Sequence, residues 1–184
     1  MSLNVLSGIL FLVAFVPYII AILHGETIPS PVSWTIWASV DTLALIAMKK
    51  EGAMSGQLTG AVLGAWVVTV FALIFGRPEM GSIEWVSITG ALAGVLLWWK
   101  TGNAVLAIIC SQIAVLAGAV PTIVGAYVNP THEDPVAWSI WLLSCVFAFL
   151  AIKKWNTANV LQPLAFIIID IMMFVLVVIR PALM

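Results

Sequence analysis

The chain predicts an all-α integral membrane protein in which seven transmembrane helices form two parallel triple-helix bundles joined by a linker helix. Three observations carry that expectation. Of the 184 residues, 63% are hydrophobic and 8% are charged, whereas a soluble domain carries about 25% charged residues. Seven apolar runs of near-spanning length alternate with short polar loops. Finally, "PVSWTIW" at 31–37 returns as "PVAWSIW" at 135–141, an offset of 104 positions.

A helix needs about 20 apolar residues to cross a ~30 Å hydrocarbon core. The first run, 3–23, has no basic segment before it and no small-residue cleavage site before "HGETIP", so it reads as a retained helix and not as a signal peptide. The remaining runs are 33–48, 58–76, 83–99, 104–127, 136–152 and 160–179, with the second, fourth and sixth the shortest. Between them lie "KKEG", "RPEMGS", "KTGN", "NPTHEDP" and "KKWNTAN", all turn-forming or charged. The expected division is 1–78 for the first bundle, 79–103 for the linker and 104–184 for the second bundle, which leaves nothing for a soluble domain. "GALAG" at Gly90 to Gly94 gives the linker a small-residue surface for close helix packing.

The repeat extends well beyond the heptapeptide. Sliding residues 16–50 onto 120–154 superposes 13 of 35 as identities, among them Pro17 on Pro121, Trp34 on Trp138, Trp37 on Trp141, and Lys49–Lys50 on Lys153–Lys154. One gap later, Arg77 and Pro78 meet Arg180 and Pro181. Chance apolar similarity does not supply Pro, Trp, Trp and a Lys pair in one order. An odd number of intervening helices restores the side on which each copy starts, so the copies are parallel, a known transporter architecture.

With seven crossings, one side receives Lys49, Lys50, Lys100, Lys153 and Lys154, and the other receives Arg77 and Arg180. The amino terminus is then expected to be cytoplasmic. Glu26, Glu133, Asp134, His24 and His132 fall in loops on the opposite side.

Proline late in the first helix of each copy, in "FVPYI" and "AVPTI", followed by a polar loop and a Trp-bearing second helix, resembles the SWEET and PQ-loop transporters over essentially the whole chain. Tyr18 and Thr122 stand where those proteins carry the Gln of the PQ loop. "WTIW" and "WSIW" are similar to the Trp-x-x-Trp element of the PnuC vitamin transporters. The resemblance implies two triple-helix bundles rocking about a central solute site. SWEET proteins place the amino terminus outside, opposite to the sidedness implied by the lysines here.

Candidate site residues follow from helical spacing. Trp37 and Trp141, each one turn inside its helix, are candidate stacking groups, whereas Trp34 and Trp138 begin their helices and read as interfacial belt residues. Asp41 extends the Trp37 face at i+4. Asp170 shares a face of the last helix with Phe166 and Gln162, and Gln112 adds a polar group to the fifth. A charged Asp at mid-membrane costs about 2.5–3.5 kcal/mol on insertion scales, so such residues face a cavity or a partner. Pro17 and Pro121 each remove a backbone donor inside a helix and are candidate hinges. Cys110 and Cys145 lie in apolar runs and read as small buried side chains.

The expected function is movement of a small solute (sugar, vitamin nucleoside or small amine) by alternating access, with the two carboxylates serving either proton coupling or as counter-charge to a cationic solute. The alternative is a receptor on the same fold that binds without flux, as KDEL receptors resemble it. No His cluster, Ser-His-Asp set or Gly-rich phosphate loop suggests an enzyme. No metal ligand set or cofactor is called for, and no Lys lies mid-helix to bind retinal. A net charge of −1 gives nucleic-acid binding no electrostatic support. The expected partners are a small-molecule solute and the lipid bilayer, with a homo-oligomer allowed.

Overall fold

A computed structural model describes residues 2–53, 55–77 and 80–183, without the surroundings of Gly94, Trp98 and Ala104. Pro78 of the repeated Arg-Pro pair and the packing of Gly94 lie outside the described residues. All regular structure among the described residues is helical: α1 (Leu3–Leu23), α2 (Pro31–Lys50), α3 (Gly56–Phe75), α4 (Ser82–Thr101), α5 (Ala104–Val128), α6 (Pro135–Leu150) and α7 (Thr157–Phe174). The last helix runs on through a π-helical turn, Val175–Ile179, into Arg180–Ala182.

The boundaries are written in side chains. Ser2, Ser30, Ser55, Asn103, Asp134 and Asn156 each accept a hydrogen bond from a first-turn backbone N–H, satisfying donors that the helix itself leaves free. Pro31 and Pro135 open α2 and α6 from first-turn positions, where proline's missing N–H costs nothing. Gly25 and Gly52, with φ of 73° and 67°, reverse the chain after α1 and α2, a conformation a Cβ would resist.

Six of the helices are long and apolar enough to cross a membrane, and α6, at 16 residues, is a shorter apolar helix. At 1.5 Å per residue α6 is about 24 Å long. Leu12, Val16 and Ile20 on α1, and Leu63, Val70 and Ile74 on α3, point outward and are exposed. Outward apolar faces of this kind require lipid, so the chain is a multi-pass helical membrane protein.

The helices close a ring. α1 packs on α3 and α6, α2 on α3 and α5, and α7 on α5 and α6, giving the order α1–α3–α2–α5–α7–α6. α4 lies outside the ring, mainly against α5, where Gly90 approaches Ala117. Only 12% of its apolar window is buried, against 44–61% for the other candidate spans.

Pro17 and Pro121 sit inside α1 and α5, which continue as α-helix on both sides of each. A third internal proline, Pro163, lies in the first half of α7.

Candidate functional site

At the centre of the ring is a cavity of about 40 Å³. All six ring helices line it and, among the described residues, α4 does not: Phe15 comes from α1, Trp34, Trp37 and Asp41 from α2, Ala65 from α3, Val115 from α5, Trp138 and Trp141 from α6, and Phe166 and Asp170 from α7. Its walls are one aromatic cluster. Trp34 lies 5.0 Å from Trp37 and 5.9 Å from Trp141, and Trp141 lies 5.0 Å from Trp138, 5.1 Å from Phe15 and 5.2 Å from Tyr18, centroid to centroid. Tilted and edge-to-face pairs at these separations add about 0.5–1.5 kcal/mol each beyond area burial. Gly64 on α3 leaves the space that the Phe15 ring occupies.

Two hydrogen bonds across the ring mirror each other. Trp37 Nε1 donates to the Val115 carbonyl at 3.0 Å, and Trp141 Nε1 donates to the Phe11 carbonyl at 3.1 Å. Donors and acceptors are both separated by 104 positions, the offset of the sequence repeat.

The cavity is sealed at both ends. Toward the acidic loops, Tyr18 Oη and Trp138 Nε1 both donate to Glu133 Oε2 at 3.0 Å, and Trp34 Nε1 donates to Tyr18 Oη at 3.3 Å. The Ile28 N–H adds a bond to the His132 carbonyl at 3.0 Å, tying the α1–α2 loop to the α5–α6 loop. Glu133 is 3% exposed, and its Oε1 has no partner among the described residues. Burial pushes its carboxyl up to about 7. The donors Trp138 and Tyr18 and the Arg77 charge pull it down by less, and Asp134 adds to the rise.

Toward the lysines the seal is a chain of side chains. Cys145 Sγ donates to Asp170 Oδ2 at 2.8 Å and accepts from Gln57 Nε2 at 2.9 Å. Gln162 Nε2 donates to Gln57 Oε1 at 3.0 Å, and Ser55 Oγ donates to Gln162 Oε1 at 2.8 Å. Beyond Ser55 opens a vestibule of about 460 Å³ that Lys153, Lys154 and Asn159 also line. Beyond Glu133 lies a second space, of about 230 Å³, lined by Glu26, Thr27 and Asp134.

The structure therefore brings Trp37, Trp141, Asp41 and Asp170 to one cavity. It does not bring Gln162 or Gln112 there: Gln162 is spent in the seal, and Gln112 is buried in α5 with neither amide atom bonded among the described residues. Trp34 and Trp138 are not belt residues. At 4% and 2% exposed they wall the cavity, because their indoles turn inward onto Tyr18 and Glu133 although each sits in the first turns of its helix. Cys145 is buried as expected but works as a polar link, since Asp170 and Gln57 flank it with an acceptor and a donor.

Tyr18, Gln57, Ser55 and Glu133 are the functional-site residues that sequence reasoning missed. Glu133 read as one of the acidic loop residues on the side opposite the lysines. Its one signal is position, directly before the capping Asp134 and the repeated Pro-Val-x-Trp, where the first copy has Pro29.

Compared with protein-family models, curated proteins and solved structures, the chain finds no match.

Proposed function

We propose that the protein is a small-solute carrier in which a triple bundle of α1–α3 rocks against a second triple bundle of α5–α7, with α4 as the linker and seven membrane crossings in all. Two features support the duplicated scaffold. Helix neighbours obey the exchange of α1, α2 and α3 for α5, α6 and α7, since each packing pair in the ring has its counterpart. The reciprocal Trp37–Val115 and Trp141–Phe11 bonds obey the same exchange. Both features also agree with the resemblance to SWEET and PQ-loop transporters.

One observation carries the carrier reading: a central cavity walled by buried side chains lies between two vestibules, and the hydrogen-bonded seals at its two ends both join opposite halves. At the acidic end Tyr18 and Trp34 meet Glu133 and Trp138. At the lysine end Ser55 and Gln57 meet Gln162 and Cys145. Separating the halves at one end breaks one seal and leaves the other, which is what alternating access requires. At about 40 Å³ the cavity is far below the about 150 Å³ that holds benzene, so this form is contracted and a solute enters on opening.

The lysine distribution supports an amino terminus on the cytoplasmic side as part of this reading. The test is uptake of radiolabelled solutes by proteoliposomes. Saturable uptake abolished by disrupting either seal supports a carrier, and specific binding without flux supports a receptor on this scaffold.

A further inference from the structure

Resting on the carrier reading, we infer that the central site takes a small organic cation with an ammonium head group, and neither a sugar nor a nucleoside. The inference comes from where the polar atoms point. A sugar bound between indoles needs donors as well as acceptors around its hydroxyls. Four tryptophans line the cavity, yet all four N–H groups are spent inside the protein: Trp34 on Tyr18 Oη, Trp37 on the Val115 carbonyl, Trp138 on Glu133 and Trp141 on the Phe11 carbonyl. The tryptophans therefore offer the cavity only ring surface.

Among the described residues, the polar side chains left on its wall are two carboxylates, Asp41 and Asp170, and no Lys, Arg or His lines it beside them. Asp41 is 2% exposed and its Oδ1 has no partner among the described residues. Asp170 Oδ2 accepts a single thiol. A buried carboxylate without a donor is stabilised either by taking up a proton or by a positive or strongly donating ligand, and the second is what a solute site supplies. Ring faces supply the complementary half of such a site, because the π cloud attracts a cation most strongly when water is excluded. Acceptors and π faces together, without donors, describe an ammonium pocket.

Choline, tetramethylammonium and methylammonium are the probes, with 3,3-dimethylbutan-1-ol as the uncharged shape-match of choline and glucose as the donor-requiring control. Binding is read on the reconstituted protein by melting temperature and tryptophan emission, and flux is read separately with labelled choline. At least one cation binds, choline binds at least about tenfold tighter than its neutral match, and Asp41→Asn or Asp170→Asn removes that preference. Equal binding of choline and the alcohol, glucose binding without cation binding, or no cation binding at all overturns the inference. The two readings fail separately: cation binding without flux sinks the carrier and leaves the ammonium site, whereas glucose flux without cation binding does the reverse.

Discussion

Replacing Glu133 by Gln isolates the charge in the acidic-end seal. Glutamine keeps the oxygen that accepts from Tyr18 and Trp138 and is neutral at every pH. In the closed protein the Glu133 carboxyl sits at about 7, against 4.5 for an ordinary glutamate. At 1.36 kcal/mol per pH unit that gap corresponds to about 3 kcal/mol. The sign follows from proton counting. Between pH 4.5 and about 7 the closed form holds a proton that the open or unfolded form has lost, so raising the pH weakens the closed form. The contribution is fully present below pH 4.5 and gone above about 7. Wild type and Glu133→Gln should therefore melt together at about pH 4. At about pH 8 the variant should be more stable by about 3 kcal/mol, on the order of 10 °C for a chain of this size. Thermal melts of both proteins in one detergent across that range supply the measurement. A variant advantage that is absent, or the same at both ends of the range, refutes the assignment of a buried, proton-holding Glu133 to the seal.

The mirrored tryptophans make a paired prediction: Trp37→Phe and Trp141→Phe each remove one N–H to a carbonyl across the ring, so each should cost about 1 kcal/mol in chemical denaturation, with unequal effects arguing against an exchange symmetry. Pro17→Ala and Pro121→Ala restore a backbone donor inside α1 and α5, so each should lower solute flux more than melting temperature, whereas unchanged flux in both would reduce them to ordinary helix residues. Cysteines placed at 49–51 or 153–156 should resist an impermeant thiol reagent in intact cells, and ready labelling would reverse the proposed orientation.

What was legible in the sequence depended on how local the signal was. Helix positions follow from apolar runs between capping residues, as with Ser30 and Pro31 before α2 and Asp134 and Pro135 before α6. Trp37, Asp41 and Asp170 were reachable because helical spacing and an acid in an apolar run are both local patterns. The seals were not. Tyr18 and Glu133 are 115 positions apart, and Ser55 and Gln162 are 107 apart, so nothing in either stretch announces its partner. Trp34 and Trp138 misled because a tryptophan in the first turn of an apolar helix has the same sequence appearance at a lipid interface as inside a ring. Cys145 misled for a related reason, since hydropathy records the thiol as apolar and is silent on the acid and amide that flank it.

Access to the cavity from each side is the most direct test of the central claim. Ala65 lines the cavity and is 2% exposed, so a cysteine there reports opening without adding bulk beyond one sulfur. Oriented proteoliposomes carrying Ala65→Cys are treated with an impermeant thiol reagent added outside or trapped inside, and modification at that residue is quantified by mass spectrometry. Alternating access predicts modification from both faces, with the seal at Glu133 opening in one case and the chain from Asp170 to Ser55 in the other. Modification from a single face, under conditions where solute is supplied on both, contradicts it.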